Sequence, residues 1–264
     1  MFLSGLFVYP IKSLKGIALN EAKIERRGLQ YDRRWMLVDT EHKFMTQREH
    51  PMMATIGVSI QPNGLQVEAN GNGSITVPFE TASDSTVDVE VWQNICPAKI
   101  VGGEAGSWFS DVLKFDCKLA YMHDDSKRMV DPNFAVADDI VSFADAYPFL
   151  LATEASLAEL NSRLEHKVGM NRFRPNFIIS GSEAFAEDDW KTVTIGSATF
   201  HSVKPSARCV MTTVDQDRGV KEGVEPLRTL ATFRTRDNKV LFGQNLIAAD
   251  DGKIVQVGDQ LRIN

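Results

Sequence analysis

Cys209 closes the run Lys204-Pro205-Ser206-Ala207-Arg208-Cys209, which puts two cations close to its thiol along the chain. Nearby cations favour the thiolate, the form that ligates metals or attacks electrophiles. A small buried hydrophobe is the commoner fate of a free cysteine, and Cys96 and Cys117 keep that reading.

Other segments carry groups suited to an anion. In Tyr9-Pro10-Ile11-Lys12-Ser13-Leu14-Lys15-Gly16, a strand runs into a turn that presents Lys12, the Ser13 hydroxyl and Lys15 together. Charge and hydrogen bonds from such a turn could hold a phosphate, although ordinary surface lysines are the commoner case. Arg33 follows Gly28-Leu29-Gln30-Tyr31-Asp32, and Arg174 stands in Phe173-Arg174-Pro175-Asn176-Phe177. A guanidinium is a rigid planar fork that grips phosphate through two donors, and Asn176 can both donate and accept. Asp32 could equally pair with Arg33 or Arg34, and Arg174 with some other carboxylate. In Leu241-Phe242-Gly243-Gln244-Asn245-Leu246, Gly243 permits close backbone approach beside two side-chain amides.

The histidines show no zinc-ligand spacing, and His123-Asp124-Asp125 reads as a solvated loop. GxGxxG, GxxxxGK[ST] and GxSxG are all absent, which removes the common dinucleotide, P-loop and hydrolase-elbow readings.

These groups need a frame. Short apolar and β-branched runs over 6–9, 34–39, 55–60 and 86–92, punctuated by Pro62-Asn63-Gly64 and Asn70-Gly71-Asn72-Gly73, predict a β-rich first half of sandwich or barrel type. A short helix over 104–114 would close it. The spacing of Leu157, Leu160, Leu164 and Val168 predicts a helix over 154–168, capped by Thr153 or Ser156 with a Ser156-x-x-Glu159 box and stopped at Gly169. Segments 177–180, 193–203, 210–215, 240–247 and 254–263 read as strands, with hairpin turns at Gly196-Ser197 and Gly258-Asp259, and 225–235 reads as a further helix. The polar loop from Asp124 to Phe143 is the candidate boundary or lid. The expectation is β-rich α+β in two parts, residues 1–122 and 123–264.

Composition narrows the class. At 264 residues the chain can bury a core without disulfides, and 43% hydrophobic with 24% charged residues is an ordinary globular balance. A net charge of −6 without a dense basic run argues against nucleic acid as a partner. Three well-separated cysteines give neither a disulfide framework nor a CxxC pair, so reduced thiols in a cytoplasmic protein fit best. The run MFLSGLFVYPIKS has no basic start and is broken by Ser4 and Gly5, so it reads as a strand rather than a signal peptide. No apolar stretch approaches the roughly 18 residues of a spanning helix, so no membrane association is expected.

Each motif alone is weak, but their order resembles the MOSC superfamily. YPIKSLKG, GLQYDRRWMLVD, FADAYPFLLATEASLAEL, FRPN, VKPSARCVMTTVD and FGQNLIA follow one another over nearly the whole chain. More narrowly they resemble bacterial YcbX-type proteins and the mitochondrial amidoxime reducing component. The resemblance implies an N-terminal β-barrel domain over 1–122 and a MOSC β-barrel with packed helices over 123–264. It implies a mononuclear molybdenum on a pyranopterin, with Cys209 as the protein ligand and catalytic residue. It places Lys12, Ser13, Arg33, Arg174 and Asn176 around the pterin phosphate and Arg208 beside the ligand, with Gln244 and Asn245 nearby; pyridoxal phosphate binding is a looser association at superfamily level. The implied reaction reduces N-hydroxylated compounds such as hydroxylaminopurines, amidoximes and hydroxylamines, in a pocket where the two halves meet.

Two departures stand out. Ala207 occupies a position where many relatives carry serine, and Ser206 could substitute. No cysteine follows Cys209, whereas an iron–sulfur cluster needs about four ligands. The expectation is therefore no cluster in this chain and a separate electron donor of ferredoxin, flavodoxin or reductase type. Two other readings compete: a cofactor binder or carrier without turnover, and a metal-free thiol enzyme that needs a base such as His201.

Overall fold

The computed structural model describes residues 1–79 and 86–264. It is β-rich, with three α-helices among the described residues: Ala105–Leu113, Glu154–Asn161 and Leu227–Phe233. None of the described helices is long and apolar enough to cross a membrane.

One large mixed sheet organises the molecule. Its order is Ile17–Ala18, Phe2–Val8, Phe177–Ser180, Phe149–Thr153, Lys239–Ala248, Ala198–Ala207, Thr192–Ile195 and Leu261–Ile263, with Thr235–Arg236 paired beside the fifth strand. Phe149–Thr153 and Phe177–Ser180 run parallel, and the other pairs are antiparallel. The chain's first strand thus lies inside the C-terminal sheet, with Leu6 opposite Phe177. In return Ile254–Gln256 pairs with Glu21–Glu25 near the start. The main core follows the sheet: Leu3, Leu6 and Val8 pack with Phe149, Phe177, Phe200 and Leu246. Burial of this shared apolar surface, at roughly 25 cal/mol per Å², fixes the two halves together.

The N-terminal half adds a four-stranded sheet, Trp35–Val38, Lys118–Tyr121, Asn94–Ile100 and Thr86–Val91, and a meander of Gly57–Gln61, Gly64–Ala69 and Gly73–Pro78. Both meander turns fall where the Asn-Gly signals put them. Helix Ala105–Leu113 packs its Phe109, Val112 and Leu113 on this core.

Four local expectations need correction. The helix begins with Thr153 accepting from Ser156 N, as a cap should, but it ends at Asn161 instead of reaching Val168. The Asn161 side chain donates to Val168 O at 3.0 Å and accepts from Val168 N at 2.8 Å, folding the chain back into a loop. Leu164 and Val168 still reach the core, but from that loop. Ser156 forms no capping box; its hydroxyl donates to buried Glu187 at 2.7 Å. Residues Val210–Thr213 form a 3-10 turn, and only Val214–Asp215 is strand. Gly258-Asp259 joins strands that diverge into different sheets and so is no hairpin.

The loop expected as boundary or lid is tied to the first half, Ser126 Oγ donating to Pro97 O at 2.7 Å and Arg27 Nη1 to Ser126 O at 3.1 Å, and closes on its own end. Buried Arg128 donates to the carbonyl oxygens of Ser142 at 2.9 Å, Ala144 at 2.5 Å and Asp145 at 2.8 Å.

Gly243 has φ +79°, and a Cβ there would stand 2.6 Å from the Leu151 carbonyl oxygen. The close approach expected of it is therefore between neighbouring strands of the central sheet. We expect Gly243→Ala to lower stability by about 2 kcal/mol. At this chain length that is roughly 4–8 °C of melting temperature, and calorimetry of both proteins checks it.

Candidate functional site

The turns that follow the first strand are tied together by backbone. Arg33 N donates to Tyr9 O at 2.8 Å, Lys12 N to Trp35 O at 2.8 Å and Trp35 N to Pro10 O at 3.1 Å. Asp32, fully buried, accepts from Tyr9 N at 2.8 Å and pairs with Arg33 at 2.6 Å. From the other half, Asn176 donates to Phe7 O at 3.1 Å and accepts from Leu150 N at 3.2 Å. These bonds hold Lys12, Ser13, Arg33, Arg174 and Asn176 along one wall of a cleft of about 340 Å³.

Further lining comes from the end of strand Ala198–Ala207. Arg208 N donates to Val240 O at 2.7 Å, and Cys209 then begins the 3-10 turn with extended backbone. Its thiol is exposed, whereas Cys96 and Cys117 are buried and burial pushes their thiols up. Arg48 Nη2 donates to Cys209 Sγ at 3.5 Å.

Seven cations line the cleft, Lys12, Arg33, Arg48, Arg174, Lys204, Arg208 and Lys239, against two carboxylates, Asp131 and Asp145. Lys12 Nζ is buried; it donates to Phe143 O at 2.7 Å and to Asp145 Oδ1 at 2.5 Å. Burial lowers its ammonium to about 8, against the raising influence of Asp145. Partial burial alone would raise the Asp145 carboxyl. The charges of Lys12 and Arg48 and hydrogen bonds from Lys12 and Trp92 outweigh it and hold the group well below the usual carboxylate range.

Arg174 and Arg33 each place the guanidinium carbon 4.3 Å from the centre of the Tyr9 ring. Such cation–π contacts offset part of the cost of burying charge. Burial lowers Arg174 to about 10 and lowers Arg208 as well; a guanidinium keeps its charge at neutral pH. Arg174 Nη1 donates weakly to Gln216 at 3.4 Å, and Gln216 is tied through Gln47 to the Ser13 carbonyl. Arg208 donates to Phe173 O at 2.8 Å and to Ser206 Oγ at 2.9 Å. Yet Arg174 Nη2 and Arg208 Nε are buried with no protein partner. Buried donors in a folded protein are nearly always satisfied, so these two point to an acceptor that the chain does not supply.

Ser13, Arg33 and Arg174 have φ of 69°, 49° and 55°. Left-handed backbone outside glycine costs on the order of 1 kcal/mol or more and concentrates at functional sites.

Asn245 lines the cleft, but Gln244 does not. Successive strand residues face opposite sides, and Gln244 instead donates to Asp188 at 2.9 Å behind the sheet. Gln244 is therefore removed from the site. Ala207 and Ser206 both line the cleft, with the Ser206 hydroxyl engaged by Arg208. No histidine is among the lining residues, and His201 faces Thr192 across a strand pair at 3.5 Å. The metal-free thiol reading thus loses its nearest base. Arg48, Asp145 and Lys239 received no role from the sequence. Asp145 lies in the FADAYPF block, but nothing in its spacing distinguishes it from a solvated loop carboxylate.

Among the described residues, no three His, Cys, Asp or Glu side chains gather to hold a bare metal ion. The cleft offers a single thiol among seven cations.

Two family models match this chain. Residues 1–116 match the MOSC N-terminal beta barrel domain and residues 138–262 match the MOSC domain. Mitochondrial amidoxime-reducing component 1 of Mus musculus is 34% identical over 274 residues, covering 97% of this chain and 80% of its own. The Homo sapiens component 1 is 33% identical over 280 residues, covering 97% and 81%. Component 2 of Rattus norvegicus is 33% identical, also covering 97% and 81%.

The charge arrangement sets a pH dependence. Asp145 is depressed in the folded chain, so its ionised form stabilises the fold above the ordinary value of 3.8 and that contribution is lost as pH falls below it. Wild type should therefore melt above Asp145→Asn near neutral pH, with the gap closing in acid below about pH 4. Thermal melts of both proteins across that range check the sign.

Proposed function

This chain belongs to the MOSC family that includes the amidoxime-reducing components, and from that premise we propose that it reduces N-hydroxylated compounds at a molybdenum cofactor ligated by Cys209. The observation that carries the reading is one juxtaposition. The exposed Cys209 thiol shares a cationic cleft with the buried Arg174 and the half-buried Arg208, each keeping an enclosed N–H without a partner. A single thiolate falls short of the four ligands of a protein-held metal site. It suits a metal whose other sulfurs come on an organic, anionic group.

Lys12, Ser13, Arg33 and Arg174 would receive the phosphate of that group, with Asn176 holding their two segments together. Arg208 and Asn245 would flank it beside Cys209, and Ser206 supplies the hydroxyl missing at Ala207. When bound, the cofactor supplies two-electron exchange and acceptance of the substrate oxygen. Overall, R–NH–OH takes up two electrons and two protons and gives R–NH2 and water. The electrons come from a separate donor of ferredoxin, flavodoxin or reductase type. Arg48 donates to the Cys209 sulfur and so would tune it as a ligand. Hydroxylaminopurines, amidoximes and hydroxylamines are the substrate class. The relatives' names say mitochondrial; for this chain a cytoplasmic, reducing setting fits its three free thiols.

The test is molybdenum per chain in wild type and Cys209→Ala from a host that makes the cofactor, followed by turnover of a hydroxylaminopurine with a chemical reductant. Near-stoichiometric metal in wild type is expected. Its loss in the variant should lower activity by more than the roughly 10–100-fold typical of a lost second-sphere contact. Metal without turnover would leave a cofactor carrier. No metal, under conditions that load a known relative, overturns the reading.

A further inference from the structure

The cleft gathers cations, and yet an ionised carboxylate stands inside it beside the thiol. Asp145 Oδ1 accepts from Lys12 Nζ at 2.5 Å and from Trp92 Nε1 at 3.3 Å. Oδ2 meets Arg48 Nη2 at 3.4 Å, too long for a strong charge-assisted bond. The side chain remains 51% exposed, so Oδ2 keeps room for another donor. The same Arg48 nitrogen reaches Cys209 Sγ at 3.5 Å. One guanidinium nitrogen thus neighbours both the thiol and the free edge of the carboxylate.

The support under this carboxylate is rigid. Its backbone carbonyl is held by Arg128, and Lys12 is fixed by the Phe143 carbonyl. Arg48 lies 4.5 Å from the centre of the Trp92 ring, and Trp92 in turn donates to Asp145. An ionised carboxylate only accepts hydrogen bonds. A fixed acceptor next to the reacting position therefore selects for a donor on the substrate.

We propose that Asp145 is a specificity-determining residue: its Oδ2 accepts an N–H that flanks the N–O bond of the substrate. N-hydroxylated amidines and guanidines, which carry N–OH beside NH2, would then be favoured over compounds with the same N–OH and no neighbouring N–H. The inference rests on the preceding reading that an N–O bond is reduced beside Cys209. A pure counterion role for Asp145, serving Lys12 and Arg48, makes a different forecast: its loss would weaken all substrates alike.

The experiment compares benzamidoxime with its N,N-dimethyl derivative, which keeps the N–OH and lacks the N–H. Cofactor-loaded wild type, Asp145→Asn and Asp145→Glu are assayed for kcat/KM. Dissociation constants are also measured without reductant, so that binding is read apart from turnover. Molybdenum content is recorded for each protein. Wild type should prefer the NH2 compound by about 10–100-fold in both measurements, the usual worth of one hydrogen bond to a charged group. Asp145→Asn should reduce that ratio to within about threefold, and Asp145→Glu should recover part of it. A steric penalty from the methyl groups would survive in Asp145→Asn, whereas a hydrogen-bond preference would not. An equal loss for both compounds, or no preference in wild type, overturns the role given to Asp145. If Asp145→Asn does not fold, the wild-type ratio and its change in Asp145→Glu decide the matter. Failure of loaded wild type to reduce either compound overturns the reductase reading itself, a result distinct from a lost preference.

Discussion

Positive charge taken out of water must be met by something else, or the cost in the interior is large. Here that cost is met piecemeal. Arg128 is enclosed by backbone carbonyls, Lys12 has a carbonyl and a carboxylate, and Arg33 has the buried Asp32. Arg174 and Arg208 are met only in part, by aromatic rings and a few acceptors. The site is therefore graded: Arg128 beneath it is met by the protein, Lys12 and Arg33 on the wall are largely met, and Arg174 and Arg208 keep donors in hand.

Such an arrangement requires the two halves of the chain to be held in fixed register. The first strand sits in the C-terminal sheet and a late strand pairs with an early one, so the walls belong to one hydrogen-bonded frame. Asn176 bonds the backbone of Phe7 on one side and Leu150 on the other. A shift of one strand residue would turn Asn245 away and Gln244 toward the cleft, because the period of a strand is two. Fixed register is thus a condition for the chemistry as well as for the fold.

The sequence made the β-rich class, the meander turns and the groups on the N-terminal wall legible, because each depends on local signals. The Asn-Gly turns, the strand feeding Lys12 and the cations beside Cys209 are each set by residues adjacent in the chain. What it could not show was set by distant contacts. Strand Lys239–Ala248 is buried on both faces, so alternation gives no clue that separates Gln244 from Asn245. The helix after Thr153 has a continuing apolar stripe, yet the Asn161 side chain stops it by capturing Val168. Arg48 and Asp145 look like surface charges in sequence. They acquire meaning only because the 3-10 turn at Cys209 and the Trp92 hairpin meet beside them.

Three costs fall on the same few residues. Ser13, Arg33 and Arg174 hold left-handed backbone; Arg174 is a buried cation and Arg208 a half-buried one; and those same two guanidiniums retain unsatisfied donors. Each cost is one that a different side chain at an ordinary core position would relieve. Their coincidence on one cleft is what a bound anion would explain. Its oxygens would satisfy the donors, its charge would offset the burial, and the strained backbone would keep the donors aimed inward. The net charge of −6 on the whole chain does not oppose this, because a cleft walled by seven cations sets its own local field.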